Sequence, residues 1–264
     1  MIDPTLLIIA ISVMLLIFGS FLWSFTIAQK KKLKHQKDIQ QLRETQQNQL
    51  IEAAIRSEEI ERHRIAETLH DEVGAILSSS KLHIQGIKAD SLDERDKKLH
   101  EKGRELLDEG IQKVRGISHN LHSSILQEFG LNEAIRHFTN KTIQGTLIKV
   151  STELDDNYTT QNADKDISVY RMVQELINNI LKHANATEIK ISSTYSKDNL
   201  ELIISHNGIG LTQQQFEELR YKKEGLGLKN IQNRVILLRG QIEFSSDPGY
   251  YHVIIQIPIN TLVV

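Results

Sequence analysis

Hydrophobic and polar positions divide the 264-residue chain into three stretches of different texture. From Pro4 to Gln29 no residue is charged, and Leu6 to Ile27 is dense in Leu, Ile, Val, Phe and Met. At about 1.5 Å per residue this run spans roughly 33 Å, enough for a hydrocarbon core of about 30 Å. It predicts a single transmembrane helix over residues 1–29. A cleaved signal peptide would need a basic start and a shorter apolar stretch of about 7–15 residues, whereas this chain begins Met-Ile-Asp. Lys30, Lys31, Lys32, Lys34 and Lys37 follow the run. Basic residues collect on the cytoplasmic side, so the N-terminus is expected outside and everything after Lys30 in the cytoplasm. That leaves almost no chain outside for a sensor domain. Trp23 suits an interfacial anchor.

Residues 30–57 are rich in Gln, Glu, Lys and Arg, with sparse apolar positions and neither Gly nor Pro. They predict a solvated helical stalk or weak coiled coil. The apolar pattern then strengthens over residues 58–125. Leu69, Val73, Ile76, Ile84 and Ile87 form a helical stripe. It breaks around Ala89-Asp90-Ser91, where Ser91 and Glu94 read as a capping box. A second helix is carried by Leu99, Leu106, Leu107, Ile111, Val114, Ile117 and Leu121. Such a hairpin cannot close a core alone, and pairing two copies into a four-helix bundle would bury both stripes.

Residues 126–264 alternate between strand and helix patterns. Leu147–Leu154, Glu188–Thr194, Leu200–Ser205, Ile242–Phe244 and Val253–Ile257 read as strands, the last two around the turn Asp247-Pro248-Gly249. Asp166–Ala184 and Leu228–Leu238 read as helices. The expectation is an α+β sandwich with helices on one face of a mainly antiparallel sheet. The fold class is thus α plus α+β.

Composition narrows the chemistry. The 32 Lys+Arg nearly balance 34 Asp+Glu, which argues against direct binding of nucleic acid through a bulk positive field. There is no Cys, so disulfide frameworks, Cys-based zinc sites, iron–sulfur clusters and thiol catalysis are excluded.

Three candidate constellations remain. His70 lies one residue past the bundle-facing Leu69, so it turns about 100° toward solvent, on a face shared with Ala66 and Gly74. Asp71 and Glu67 lie alongside, able to orient one ring nitrogen and activate the other. The same pattern fits an ordinary exposed histidine. On the helix Asp166–Ala184, Glu175 and Asn179 sit one turn apart opposite the apolar sector, flanked by Lys182 and His183. They are hard oxygen ligands suited to Mg²⁺ on a nucleotide phosphate, although a plain surface helix has the same look. Finally, His206-Asn207-Gly208-Ile209-Gly210 follows a strand, and Gly225-Leu226-Gly227-Leu228 opens a helix whose amides can receive phosphate oxygens. The polar residues 211–224 between them read as a mobile lid.

Together these residues carry a resemblance. Glu61-Arg-His-Arg-Ile-Ala-Glu-Thr-Leu-His70-Asp71-Glu-Val-Gly is similar to the phosphoacceptor box of two-component sensor histidine kinases, in the subclass of the nitrate sensors and membrane thermosensors. Ile117–Leu121 and Glu128–Ile135 resemble that subclass's join to its ATP domain. Gln174–Ala184 resembles its N-box, and the two Gly-x-Gly segments its glycine boxes. The resemblance covers about residues 58–258 and implies a GHKL-type ATP-binding domain. It also implies phosphorylation of His70 by ATP with Asp71 as activating base, Mg²⁺ held through Asn179 with Glu175 nearby, and nucleotide contacts from Lys182, His183, His206, Gly208, Gly210, Gly225, Gly227 and Leu228. It further implies a homodimer in the bacterial inner membrane. Phosphate would pass to the receiver domain of a response regulator, usually one with a helix-turn-helix output, and a membrane partner would be one source of signal.

Two positions depart from the family pattern. His206 stands where an Asp accepts a hydrogen bond from the adenine amino group. Ala75 stands four residues after Asp71, where relatives with phosphatase activity carry Gln or His. Besides the kinase reading, a non-catalytic dimeric scaffold that binds a receiver domain stays open. So does another ATPase of this nucleotide fold, such as a chaperone or topoisomerase relative.

Overall fold

The computed structural model describes residues 4–87, 93–121, 124–160, 162–196, 199–222 and 225–259, with side chains from Met14 onward. It divides into two units, Met1–Ile51 and Glu52–Val264.

The first unit is helical, the leading part of α1 (Pro4–Thr68). Its large apolar side chains stand uncovered, with Leu16 74% and Trp23 73% exposed. Residues 1–13 of the expected membrane span lie outside those whose side chains are described. Among the described residues no helix is long and apolar enough to cross a membrane.

In the second unit, the end of α1 passes through a five-residue π-helical segment, Leu69–Val73, into α2 (Gly74–Gln85). Here the Gly74 N–H bonds to the Leu69 carbonyl, five residues back rather than four. α2 packs against α3 (Glu94–Leu121). A Lys81–Asp108 ion pair of 2.5 Å, a 2.9 Å contact from His100 Nε2 to the Ile84 carbonyl and a buried Ser118 hydroxyl donating to the Ala66 carbonyl at 2.9 Å join the hairpin. The expected Ser91 cap lies outside the described residues. Ile111 is buried as expected, but Ile76, Leu99, Leu106 and Ile117 are all more than half exposed. One chain therefore covers only part of the two stripes.

α4 (Ser124–Thr142) is bent at Gly130, whose φ of 80° an L side chain would resist. It leads into β1 (Lys149–Glu153), α5 (Ala163–His183), β2 (Glu188–Tyr195), β3 (Asn199–His206), α6 (Gln213–Leu219), α7 (Leu226–Leu237), β4 (Gln241–Asp247) and β5 (Tyr250–Pro258). The sheet order is β1-β2-β3-β5-β4, with β1 parallel to β2 and the other pairs antiparallel. α5 begins at an Asn162 cap that accepts from the Lys165 N–H, and carries Asp164 and Asp166 in its first turn and Lys182 and His183 in its last, the arrangement its dipole favours. Its apolar face, Val169 to Ile180, packs with Ile189, Ile191, Leu200, Leu202, Ile204 and Ile255 into one core. Burying each such side chain stabilises the fold by about 1.5–3 kcal/mol before entropy is charged against it.

The α+β expectation for residues 147–258 holds. One reading needs correction: the segment expected as a mobile lid contains α6. Thr212 and Gln215 close a capping box at its start. Phe216, fully buried, stacks on Phe244 with ring centroids 4.5 Å apart. One aromatic anchor outweighs the polar composition around it.

Candidate active site

A cavity of about 530 Å³ opens where α5, the end of β3, the start of α7 and the β4–β5 hairpin meet. Glu175, Asn179, Lys182 and His183 of α5 line it, with His206, Gly210, Gly225, Gly227 and Leu228. Eleven of the twelve predicted site residues concern this cavity or the helix carrying His70, and nine of them line the cavity itself. Gly208 does not line it. A side chain there would strike the Ala184 carbonyl, so this glycine allows β3 to close onto the end of α5. At Gly227 a Cβ would strike the Glu175 carboxylate, which draws the first turn of α7 against the acidic wall.

His206 is 3% exposed. It continues the inward-facing row Leu200, Leu202, Ile204 along β3, in register with Tyr251 of β5. Its ring stacks on Tyr251 with centroids 5.9 Å apart and 17° between planes. Nδ1 is enclosed without a hydrogen-bond partner. Burial, and secondarily His252, push its pKa below the ordinary imidazole value. His252 is held from both sides: Asp247 Oδ2 lies 3.2 Å from its Nε2, and the Ser205 hydroxyl lies within hydrogen-bond distance of its Nδ1 at 2.8 Å. Tyr251, His252 and Phe244 were not foreseen as lining residues. Tyr251 and His252 belong to a run of three ring side chains, Tyr250-Tyr251-His252, directly after the Asp247-Pro248-Gly249 turn, and Phe244 lies on the strand before it.

The second locus is on the hairpin. His70 Nδ1 and Asp71 Oδ1 are 2.8 Å apart, with side chains 71% and 74% exposed. A carboxylate can only accept, so this contact calls for a proton on Nδ1, and in that neutral tautomer the lone pair is on Nε2. Two expectations about its surroundings fail. Glu67 pairs with His63 Nε2 at 3.2 Å rather than with His70. Ala66 is buried beneath α3 rather than sharing the open face. The wider π-helical turn explains this, because it rotates His70 relative to the residues before Leu69. Among the described residues no three His, Cys, Asp or Glu side chains cluster as a metal centre.

Comparison with known proteins decides the family. The model of "Histidine kinase" domains matches residues 61–126, around His70. That of "Histidine kinase-, DNA gyrase B-, and HSP90-like ATPase" matches residues 164–261, around the cavity. The chain belongs to the histidine kinase family. The first match separates this histidine kinase from the chaperone and topoisomerase relatives that share the second domain.

Similar curated proteins are the sensor histidine kinase MctS of Rhizobium johnstonii, 28% identical over 75% of this chain and 43% of that one, and the sensor histidine kinase NarS of Mycobacterium tuberculosis, 26% identical over 80% and 48%. The oxygen sensor histidine kinase NreB of Staphylococcus carnosus is 28% identical over 79% and 59%. The chain thus spans about half the length of the curated relatives it matches.

Proposed function

We propose that this histidine kinase phosphorylates its own His70 with ATP and passes the phosphate to an aspartate on a response regulator receiver domain. The observation that carries the reading is the His70–Asp71 hydrogen bond on an exposed turn. With the Nδ1 proton held by the Asp71 carboxylate, the Nε2 lone pair attacks the γ-phosphorus. The bond to the β–γ bridging oxygen breaks and ADP leaves with that electron pair. Asp71 stabilises the positive charge that develops on the ring, and general-base support of this kind contributes about 10²–10⁴-fold. His70 is not among the cavity's lining residues, so the phosphate end of the pocket must be carried to a His70 of the same or another copy.

The Glu175 carboxylate and Asn179 amide suit Mg²⁺, a cation that takes one or two protein oxygens and completes its shell with phosphate and water. Mg²⁺ bound there would neutralise phosphate charge. Lys182 and His183 line the same cavity toward the Ala184 end of α5, where they would contact the nucleotide.

We infer that the protein dimerises through the hairpin, because the uncovered Ile76, Leu99, Leu106 and Ile117 require a partner surface. The uncharged run Pro4–Gln29, closed by five lysines, supports a single-pass anchor in the bacterial inner membrane with the catalytic domains cytoplasmic. Domain limits near residues 29, 57 and 125 belong to the same proposal.

Incubation of the protein with γ-labelled ATP tests the activity. An acid-labile, base-stable phosphate is expected on the wild type and none on His70→Gln, with the dimer retained in both. A folded protein that binds ATP yet never gains the label would leave the scaffold reading in its place.

A further inference from the structure

The cavity has two chemically different ends, and α5 runs between them. At one end Gly227, in the first turn of the 12-residue helix α7, packs against Glu175. The free amides of that turn draw negative charge. At the other end Gly208 packs on the Ala184 carbonyl, and His206 closes the wall beside Tyr251. Glu175 and Ala184 are separated by about 13 Å of helix at about 1.5 Å per residue, the reach of a nucleoside triphosphate laid lengthwise. Phosphates therefore belong at the α7 end, and the base belongs against His206, with Ile180 and Val253 supplying apolar contact.

His206 is the deeply buried polar side chain that the base meets there. Nδ1 is enclosed without a hydrogen-bond partner, and among the described residues no hydrogen bond pins the imidazole in one tautomer. Ser205 and Asp247 are both engaged with His252 instead. The distinction matters for reading a purine. A carboxylate is an acceptor only: it takes a 6-amino group and repels a 6-oxo group. A neutral imidazole carries one N–H and one bare nitrogen, and exchanging them turns the same contact from acceptor to donor.

We propose that His206 makes this nucleotide site tolerant of the purine 6-position, so that GTP is bound alongside ATP. The proposal rests on the nucleotide reading of the cavity and names the substrate class that reading leaves open. A 6-amino purine donates to the bare ring nitrogen, and a 6-oxo purine accepts from the ring N–H after tautomer exchange. The phosphate end makes the same contacts with both.

Calorimetric titration of the detergent-solubilised full chain with ATP and with GTP, each in excess Mg²⁺ at neutral pH, tests it. The two dissociation constants are expected within about tenfold of each other. His206→Asp, an acceptor only, is expected to widen the gap in favour of ATP by about tenfold or more. His206→Gln, which keeps both a donor and an acceptor, should leave the gap narrow. Wild-type protein that binds ATP but holds GTP more than about tenfold less tightly overturns the proposal alone. So does a folded His206→Asp protein with an unchanged gap. If neither nucleotide binds the folded wild type, the nucleotide reading falls and takes the proposal with it. The wild-type ratio decides even where a variant does not fold.

Discussion

Arg171 on α5 and Glu59 on α1 form a two-pronged ion pair across 112 positions of sequence, Nε to Oε2 at 3.0 Å and Nη2 to Oε1 at 2.5 Å. The arginine side chain is 4% exposed, and it also donates to the carbonyls of Asn120 and Leu121 at the end of α3 and to Gln174. One side chain thus ties the ATPase domain to both helices of the phosphoacceptor hairpin and caps the C-terminus of α3. Arg234 of α7 makes a parallel contact with the adjacent Glu58 at 3.1 Å. It is as deeply buried, but its Nη1 has no partner, and desolvation lowers its pKa.

The two arginines should respond differently to removal. Losing one partner of a buried pair costs about 3–5 kcal/mol when the other charge is left without compensation. Arg171→Met forfeits the bidentate pair and the carbonyl bonds, so a loss of about 3 kcal/mol is expected. Arg234→Met gives up one acceptor while relieving an unsatisfied buried nitrogen, and should cost about 1 kcal/mol or less. Denaturant unfolding of the two variants measures the difference, and equal losses would mean that Arg234 is held by contacts other than Glu58.

Protonation of the pocket offers a second check. The folded state holds the His206 pKa down, chiefly by burial and then by the adjacent His252. The unfolded chain therefore takes up a proton that the fold refuses. Stability is fully present above the ordinary histidine value of about 6.5 and is lost as the pH falls through the depressed one. Asp166 works with the opposite sign, since burial raises its carboxyl pKa and stability is lost as the pH rises through that raised value. Comparing His206→Gln with wild type isolates the imidazole. The variant's melting temperature should fall less between pH 7.5 and pH 5 than that of the wild type. Parallel curves would show that the fold takes up a proton at His206 as readily as the unfolded chain does, so that burial does not hold its pKa down.

Much of this arrangement is legible in the sequence alone. The strand and helix patterns of residues 147–258 survive because their apolar faces all pack into one core. The glycine segments could be placed because a strand end and a helix start bracket them. What escaped notice has physical reasons. No residue type specifies a hydrogen bond to the fifth residue back, so the π-helical turn at His70 and its effect on Ala66 could not be foreseen. Arg171 and Arg234 sit on helices whose glutamate partners lie more than a hundred residues away, where periodicity carries no information. His206 was readable in principle, since it falls two residues past Ile204 in an inward row, but a polar residue at a strand end invites a loop reading.

The expectation for phosphatase activity rests on Ala75, which is exposed one turn beyond Asp71. Hydrolysis of a phosphoaspartate on the partner requires a water aligned opposite the leaving oxygen, and positioning of that kind contributes several kcal/mol to a barrier. A methyl group offers neither donor nor acceptor. The wild type should therefore strip its phosphorylated regulator slowly. Ala75→Gln should accelerate that step by about tenfold or more, with autophosphorylation unchanged. Rapid loss of phosphate with the wild type, unaffected by the substitution, would place the water-positioning group elsewhere.

Two glycines with close neighbours, Gly227 and Gly208, separate structure from function. At Gly227 an added methyl meets only the end of a flexible side chain, the Glu175 carboxylate. The carboxylate can swing aside at little cost to the fold, but it then leaves the cavity wall where the phosphate and its cation are proposed to sit. At Gly208 the methyl meets backbone, the Ala184 carbonyl and the Ala186 nitrogen, which neither rotate nor yield. Overpacking of this kind costs about 1–3 kcal/mol, and here β3 would have to part from α5. Gly227→Ala is therefore expected to keep its unfolding free energy within about 0.5 kcal/mol of wild type while losing most of its autophosphorylation. Gly208→Ala should lose about 2 kcal/mol of stability and, well below its melting temperature, retain more activity than Gly227→Ala. Unfolding curves and label incorporation on the same preparations provide both readouts. The reverse order would mean that Gly208, rather than Gly227, borders the reacting phosphate.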